Sequence, residues 1–236
     1  MRCRALILRA RACGESNREA WLLGEGAGLF RATVFGGPKS RLRSHASPFH
    51  SGTAWVYLDP VRDARKLADF DVSAWRPGIR ELYERAMAAD AVAETVLASH
   101  GGGGSWGGAL SLAESALDAI SAAGGEGCRA ELPRFLWRWA GFLGLRPDLS
   151  RCSLCGRPAP AGRSLRFSPR DGGVACAACL GGSPAAGLVG IGAACREWLE
   201  AGLPGVPGAR EVREAKALSE AVLAGALGRR LASWDW

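Results

Sequence analysis

The sequence predicts an α+β protein, in which an N-terminal β-barrel is followed by an α-helical domain with a small cysteine-rich insert. Three observations lead to this prediction. Short apolar or alternating runs fill the first 75 residues, the apolar period becomes helical after Pro77, and two Cys-x-x-Cys pairs occur between residues 152 and 179. We expect four parts, at residues 1–76, 77–150, 151–182 and 183–236, the last completing the helical domain.

The N-terminal part is predicted to be a barrel because turn residues separate five short strand-like runs. These runs are Ala5–Arg9, Glu19–Leu23, Leu29–Phe35, Thr53–Asp59 and Leu67–Val72. In the third run Arg31 and Thr33 face one way, and Phe30 and Ala32 face the other. Five antiparallel, turn-linked strands of this length fit a small closed barrel of the OB type, and an SH3-like barrel fits nearly as well from the pattern alone.

Helical stripes follow the barrel. Apolar residues recur at helical spacing within 79–97, 110–120, 132–143 and 215–231, and a short helix is expected around Trp198. We expect Gly124-Gly125 to end the second of these helices as a C-cap.

The two cysteine pairs, Cys152-x-x-Cys155 and Cys176-x-x-Cys179, predict a zinc ribbon. Each pair brackets a tight turn, and two such turns supply the four thiolates that a tetrahedral zinc ion prefers. Between the pairs, a strand around Phe167 and a reversal at Gly172-Gly173 predict a hairpin. Two disulfides or four buried thiols are the alternative, which the paired spacing disfavours. Four sulfur ligands leave no open coordination position, so we expect one structural zinc ion per chain.

The formal net charge of +7 is unevenly placed along the chain. Residues 1–80 hold 14 Lys and Arg against 7 Asp and Glu, whereas residues 81–236 hold 16 of each. This asymmetry predicts an anionic partner for the N-terminal third, nucleic acid before membrane. No apolar run approaches the roughly 20 residues of a membrane helix, and the N-terminal apolar stretch is too short for a signal peptide. We therefore expect a cytoplasmic protein with reduced cysteines.

The segment Gly36–Ser44 is the first candidate for a nucleic-acid contact. It joins the predicted third and fourth strands, so we expect an exposed loop whose cations Lys39, Arg41 and Arg43 contact phosphates. Arg9 and Arg31, on neighbouring strands, would extend a basic track across the barrel. Four aromatic residues offer stacking surfaces for unpaired bases, although aromatic residues in small barrels are usually core: Trp21, Phe35, Trp55 and Tyr57.

No catalytic constellation is present in the sequence. The three histidines, His45, His50 and His100, are expected on the surface, without a nucleophile or metal spacing nearby. The run Gly101–Gly104 lacks the Lys and Ser/Thr of a phosphate-binding loop and is interpreted as a linker. An enzyme is therefore disfavoured.

Taken in order along the chain, these pieces resemble the RecO family of recombination mediators. The resemblance begins with Ala5–Arg9 and Gly14–Arg18 and continues through the basic segment to Ser47-Pro48-Phe49. In the second half it includes Gly141–Cys152, Cys155-Gly156, Phe167-Ser168-Pro169, the Cys176 pair and Leu227–Leu231.

The resemblance implies an OB fold, a helical domain and a zinc module. It also implies binding of single- and double-stranded DNA, annealing of complementary strands, and no enzymatic activity, in a nucleoid-associated protein. The implied partners are RecR and the C-terminal tail of single-strand-binding protein, with an indirect role in loading RecA. By position, Lys39, Arg41, Arg43 and Arg9 would be DNA contacts. The acidic tail would need a basic rim around an apolar pocket, for which we name three residues near the third helical stripe: Arg134, Arg138 and Arg146.

Of three other functions, a nucleotidyl-transfer enzyme with an OB fold is disfavoured because no lysine lies in a recognisable nucleophile motif, and two stay open. A zinc-ribbon nucleic-acid factor of transcription or translation would prefer one sequence or structured RNA. A protein adaptor would bind a partner through the barrel and have no annealing activity of its own.

Overall fold

The structure, a computed structural model, describes residues 1–37, 39–62, 64–159, 162–180 and 187–235. The chain folds into two compact units, Met1–Ala123 and a second unit that begins at Gly124. The boundaries expected at residues 76, 150 and 182 stay a prediction. Pro38 in the basic segment, and positions 160–161 and 181–182 of the predicted zinc ribbon, lie outside the described residues.

The first unit contains a closed five-stranded barrel. Its strands are β1 (Arg2–Cys13), β2 (Asn17–Gly24), β3 (Gly28–Val34), β4 (Ser51–Asp59) and β5 (Ala64–Ala74). Their order is β1-β2-β3-β5-β4, and β4 pairs with β1 to close the barrel. The predicted OB-type barrel is confirmed, with one difference, since β3 and β5 run parallel rather than antiparallel.

The barrel core is formed by alternate residues of each strand, whose side chains face the interior. In β3, Phe30, Ala32 and Val34 are buried while Arg31 is exposed, as predicted. The aromatic side chains inside are Phe30 of β3 and Phe70 of β5, of which Phe70 is fully buried. Burying an aromatic or branched side chain of this kind contributes roughly 1.5–3 kcal/mol relative to leaving it in water.

Helices of the first unit lie against the barrel. They are α1 (Arg41–His45), α2 (Tyr83–Ala98) and α3 (Trp106–Ala122), with a 3-10 turn at Pro77–Arg80. The α3 carboxylate of Glu114 pairs with Arg4 of β1. At the start of α3, the Trp106 ring lies so close to Gly28 that a Cβ atom there would stand 3.0 Å from it, and Gly28 also has a φ of +68°. Only glycine meets both conditions at this hairpin.

The second unit combines helices with a small sheet. Its elements are α4 (Gly125–Phe142), β6 (Leu165–Ser168), β7 (Gly173–Ala175), α5 (Ala177–Leu180), β8 (Val189–Ile191), α6 (Ala193–Glu200) and α7 (Ala209–Leu227). The sheet order is β7-β6-β8, and α4 packs against α7. The predicted hairpin before the second cysteine pair is β6–β7, and β8 is a strand that the pattern did not reveal. Among the described helices, none is long and apolar enough to cross a membrane.

Two predicted helix ends are wrong. Gly124 does not end a helix: α3 stops at Ala122, and Gly124, in an extended conformation, is the N-cap of α4. The last helix ends at Leu227, because Gly228 adopts a left-handed conformation with φ of +67°, which leaves Leu231 beyond the helix.

Candidate nucleic-acid interface and metal centre

The structure brings all four predicted metal ligands together. The sulfur atoms of Cys152, Cys155, Cys176 and Cys179 all lie within 4.8 Å of one another, and Cys155 Sγ is 3.9 Å from Cys176 Sγ. Four sulfurs at about 2.3 Å around a tetrahedral zinc ion stand about 3.8 Å apart. The four residues therefore fit one tetrahedral metal ion after sulfur shifts of about 1 Å at most, and all four are free cysteines.

Local backbone bonds shape the two turns that carry these ligands. The N–H of Gly156 donates to the carbonyl oxygen of Cys152 at 2.9 Å, and the N–H of Cys179 donates to that of Cys176 at 3.1 Å. Gly156 has a φ of +69°, which reverses the first turn. Cys152 is buried, whereas Cys155 and Cys179 are exposed. The centre therefore has one inner ligand and an outer side that faces solvent.

Electrostatics in the cluster favour loss of a proton at the inner ligand. The backbone N–H of Cys176 points at Cys152 Sγ from 3.4 Å, and this hydrogen bond, together with those from the N–H groups of Cys155 and Leu154, lowers the pKa of Cys152 to about 6. At the outer side, hydrogen bonds with Cys155 and then Cys176 raise the pKa of Cys179 to about 12. Four thiols this close cannot all ionise alone, so a divalent cation is the natural companion of the full set of thiolates.

The predicted basic loop is partly helical. Lys39 and Arg41 are exposed, and Arg41 begins the single-turn helix α1. Among the described residues, neither cation has an acidic partner. Arg43 is partly buried, and its Nη1 donates to the carbonyl oxygen of Ser16 in the β1–β2 turn at 3.2 Å. Arg43 therefore lies beside that turn, whereas Lys39 and Arg41 on the same segment are free to reach a ligand.

The sequence suggested that Arg9 and Arg31 lie on neighbouring strands. In the structure they lie on β1 and β3, with β2 between them. Trp21 of β2 pairs with Arg9 on one side and with Arg31 on the other, so the three form one row across β1, β2 and β3. A register shift between Ile7 and Arg9 turns Arg9 outward after the buried run that precedes it. The two predicted residues therefore lie in one row but about 10 Å apart, with Trp21 between them.

Arg11 is a cation of this surface that the sequence reasoning missed. It pairs across β1–β2 with Glu19, one step of about 7 Å from the Arg9 row. Glu19 accepts from Arg11 Nη2 at 2.7 Å and lies 3.5 Å from Arg31 Nη1, so one carboxylate orients two guanidinium groups. The guanidinium carbon of Arg11 also lies 4.7 Å from the centre of the Trp21 ring. The sequence contained a signal for Arg11, because side chains two positions apart on a strand lie on the same face, as Arg9 and Arg11 do.

Phe35 and Tyr57 are more exposed to solvent than the other two aromatic candidates. They are 48% and 56% exposed, whereas Trp21 and Trp55 are partly buried. Lys66 of β5 lies between the exposed pair, with Nζ 5.9 Å from the Phe35 ring centre and 5.8 Å from the Tyr57 ring centre. Lys66 Nζ also lies 3.6 Å from Asp59 Oδ2, so this ammonium group is already paired, and the two exposed rings are what the site offers to unpaired bases.

A polar cleft of about 400 Å³ opens on the same strands. It is lined by Glu19, Arg31, Ala32, Thr33, Ala64 and Arg65. Thr33 lies opposite Lys66 in the β3–β5 pairing, so the cleft adjoins the aromatic pair. Together with the Arg9 row and the loop cations, these residues form a cationic face on the barrel, which we call the barrel face.

The three residues named for a protein partner have different surroundings. Arg134 pairs with Glu131 and donates to the carbonyl oxygen of Gly205. Arg146 Nε donates to the carbonyl oxygen of Trp137 at 2.8 Å, and burial lowers the pKa of Arg146. Arg138 is exposed. The structure does not bring the three into one basic rim around a pocket, and their role in partner binding stays a prediction.

An apolar pocket with a basic rim lies instead between α4 and α7, with a volume of about 330 Å³. Leu132 and Val212 line it, and Arg129, Arg213 and Lys216 surround it. Lys216 Nζ is held by the carbonyl oxygen of Trp234 at 2.8 Å. Helical spacing between Arg129 and Leu132, and between Val212 and Lys216, was a signal for this pocket. The sequence could not show that the two helices meet there.

Fold and sites together define an OB-barrel protein with a cationic face on the barrel and, in its helical unit, four thiols placed to hold a metal ion. Family models match nearly the whole chain: Recombination protein O N terminal at residues 1–73 and Recombination protein O C terminal at residues 80–235. The chain therefore belongs to the RecO family, whose members are DNA repair and recombination proteins.

Individual relatives agree with the family models. The chain is 32% identical over 196 residues to the DNA repair protein RecO of Desulfitobacterium hafniense, covering 78% of this chain and 66% of that protein. It is also 32% identical over 182 residues to the DNA repair protein RecO of Pelotomaculum thermopropionicum, covering 75% of this chain and 67% of that protein. The match thus spans about two thirds of each relative's length.

Proposed function

We propose that this chain is a non-enzymatic mediator that binds single- and double-stranded DNA without sequence preference and anneals complementary strands. The observation that carries the proposal is the barrel face, on which exposed cations and exposed aromatic rings occur together in a chain of the RecO family. Cations contact phosphates whatever the sequence, and rings stack on any unpaired base.

In this proposal the loop cations and the strand cations hold the phosphate backbone. Lys39 and Arg41 make the most mobile contacts, Arg43 makes a contact fixed by Ser16, and Arg9 and Arg31 extend the track across the strands. Annealing requires two polyanions to approach one another. Phosphate neutralisation by such a surface lowers their mutual repulsion, so the protein accelerates pairing without a chemical step.

Phe35 and Tyr57 give the barrel face its preference for unpaired bases. In a duplex the base faces are covered by their neighbours, so only a single strand can place a base on an exposed ring. Phe35→Ala with Tyr57→Ala should weaken single-strand binding about 5-fold or more and leave duplex binding nearly unchanged. Tyr83→Ala is the matched control, because Tyr83 is 71% exposed but lies on α2 rather than on the barrel face.

We propose that the pocket between α4 and α7 binds the acidic C-terminal tail of single-strand-binding protein. Its apolar floor suits the apolar end of a peptide, and its three cations suit the acidic part. Arg213→Glu tests this location against the earlier candidate Arg138→Glu, since both residues are exposed in the same unit. Loss of binding of a fluorescent tail peptide in the first variant alone would support the pocket, and loss in the second alone would move the site to Arg138.

The proposed metal is zinc, with a structural role. Zinc bound here supplies four metal–thiolate bonds and no reactive position. The residues do the remaining work: the two turns present the sulfurs, and the hydrogen bond from Cys176 N–H stabilises the inner thiolate. We further propose RecR as a partner, an indirect role in loading RecA, and a cytoplasmic, nucleoid-associated location, all on the basis of family membership.

The experiment that tests the function is the annealing rate of two complementary DNA strands coated with their cognate single-strand-binding protein, without ATP. Acceleration by the chain supports the mediator. A folded, zinc-loaded chain that binds the strands but does not accelerate annealing would refute it. A chain that binds the tail peptide but has negligible DNA affinity at moderate salt would be an adaptor.

A further inference from the structure

Charge is distributed between the two units differently from the way it is distributed along the sequence. Residues 1–123 hold 15 Lys and Arg against 13 Asp and Glu, a formal +2, and residues 124–236 hold 15 against 10, a formal +5. The helices that follow the barrel in sequence are acidic and belong to the first unit. The larger cationic excess is therefore in the second unit.

Most of that excess is in one short segment, residues 151–180, which contains the metal centre. The segment holds five arginines and one acidic residue, Asp171, a formal +4. The remainder of the second unit holds 10 cations against 9 acidic residues. A zinc ion with four thiolates carries −2, so about +2 is left on the metal-loaded segment. Neutralising the metal centre therefore does not account for all of the arginines.

Four of these arginines are exposed and lack an acidic partner among the described residues: Arg157, Arg163, Arg166 and Arg170. The nearby positions that are not described, 160–161 and 181–186, contain no acidic residue in the sequence. The fifth, Arg151, lies 3.5 Å from Asp148. Asp171 accepts a hydrogen bond from Ser168 Oγ at 2.7 Å, in the turn between β6 and β7.

The sheet gives three of the four cations a common scaffold. Leu165 and Phe167 of β6 are buried, and Arg166 between them points to the exposed face. Its partners across the sheet are Ala175 of β7 and Gly190 of β8, which are too small to cover it. Arg163 precedes β6 and Arg170 lies in the turn that follows it, so the three cations lie within about 23 Å of one another along the chain. That length accommodates several phosphates of one DNA strand.

We propose that the exposed arginines of the metal module bind the phosphate backbone of a second DNA strand. A single chain then holds two strands, one on the barrel face and one on the second unit, which is what annealing of two polyanions requires. The inference rests on the proposed annealing function and adds to it a site and a stoichiometry. It gives the metal a role as well, since the thiolate centre supports the short sheet that displays the cations.

The test is a variant in which the four arginines become glutamine, R157Q/R163Q/R166Q/R170Q. We expect one zinc per chain as in the unchanged protein, and binding of a first short single-stranded oligonucleotide within about 2-fold, because the barrel face is intact. Saturating binding should fall from two oligonucleotides per chain to one, and the annealing rate of uncoated complementary strands should fall about 10-fold or more. Retention of two-strand binding and of the annealing rate in a zinc-loaded variant would overturn the proposal.

Single substitutions keep the test decisive if the fourfold variant does not fold. Arg166→Gln should lower the salt dependence of second-strand binding by about 0.7 in the slope of log affinity against log salt. Arg229→Gln is the matched control, because Arg229 is exposed in the same unit but outside the module, and it should leave that slope unchanged. Equal slopes in the two variants would refute the proposal. If the unchanged protein neither binds nor anneals DNA, the proposed function itself fails, which is a different result.

Discussion

The basic loop beside the β1–β2 turn makes the sharpest quantitative prediction. Lys39→Ala with Arg41→Ala removes two exposed cations that have no acidic partner among the described residues, so no intramolecular ion pair is lost with them. Arg43 is left in place, because its bond to the Ser16 carbonyl oxygen makes any substitution there a change in the turn as well. The double substitution therefore isolates the contribution of the loop to DNA binding.

The magnitude follows from counterion release. Each neutralised phosphate contributes about −0.9 to the slope of log affinity against log salt for duplex DNA, and about −0.7 for a single strand. Loss of two contacts should make the slope less negative by about 1.8 for duplex and by about 1.4 for a single strand. Affinity should fall equally for unrelated sequences, because phosphates carry no sequence information.

Fluorescence anisotropy of labelled DNA over a salt series measures this slope directly. Each single substitution should give about half of the effect, which checks that the two contacts are independent. Arg229→Ala, an exposed cation outside the barrel, controls for the loss of net charge alone. A slope unchanged in the double variant, for both duplex and single strand, would exclude the loop from the interface and refute the reasoning.

Three further predictions concern the metal centre and the barrel. Cys152→Ser should reduce bound zinc well below one per chain, as measured by metal analysis. It should also lower the melting temperature of the second unit, because metal binding of roughly 10–16 kcal/mol is coupled to folding in such modules. One zinc per chain with unchanged stability would show that Cys152 is not a ligand of this centre. Burial lowers the pKa of His50 below its usual 6.5, so the unfolded chain takes up a proton first and the free energy of unfolding should decline as the pH falls through and below about 6.5. His50→Gln should flatten that decline in urea titrations at several pH values, and an identical pH profile in the variant would contradict it. Arg76→Met should lower the free energy of unfolding in urea by about 2–4 kcal/mol, because the buried guanidinium donates to the carbonyl oxygen of Phe49 at 2.7 Å and to Ser51 Oγ at 2.9 Å. Asp118→Asn should lower it by less than about 1 kcal/mol, since Asp118 is 61% exposed. Equal losses in the two variants would mean that the ion pair, and not the buried hydrogen bonds, stabilises the fold.

The metal centre could be predicted from the sequence because its geometry is local. Two Cys-x-x-Cys turns and a hairpin between them fix most of the distances, and the structure adds mainly the distinction between the buried Cys152 and the exposed Cys179. The barrel strands could be predicted for a similar reason, since alternation and turn residues act over a few positions. Their observed bounds are longer than predicted at several ends, where cross-strand pairing extends the pattern, as in β1 and β5.

Cross-strand register could not be predicted, and it decides the barrel face. The row of Arg9, Trp21 and Arg31 depends on pairings between β1, β2 and β3, and on the irregularity that follows Ile7. His50 shows the same limit, because the sequence predicted a surface histidine, and that prediction is wrong. The residue is 2% exposed, its ring packs edge-on against Trp75, and its Nδ1 is 2.9 Å from the carbonyl oxygen of His45.

Charge counts along the sequence divide the charged residues differently from the two folded units. Residues 81–236 are neutral in total, and this balance concealed the basic segment that contains the cysteines. Acidic residues such as Glu114 and Asp118 lie on α3, which packs with the barrel, and they pair with Arg4 of β1 and with Arg76 just after β5. A charge count over 30-residue windows would have revealed the segment at 151–180 from the sequence alone.

The closure of the barrel has a consequence for its dynamics. Strands β3 and β5 pair only at Thr33–Lys66 and Val34–Leu67 among the described residues, whereas the other neighbouring strands share much longer ladders. Local opening should be easiest where backbone hydrogen bonds are fewest, so amide hydrogens at this seam should exchange with solvent sooner than those of β1 and β2. Lys66 lies on the seam and the polar cleft adjoins it. A DNA strand bound across this seam would hold β3 and β5 together. Amide hydrogen exchange at the seam should therefore slow more than elsewhere in the barrel when DNA binds.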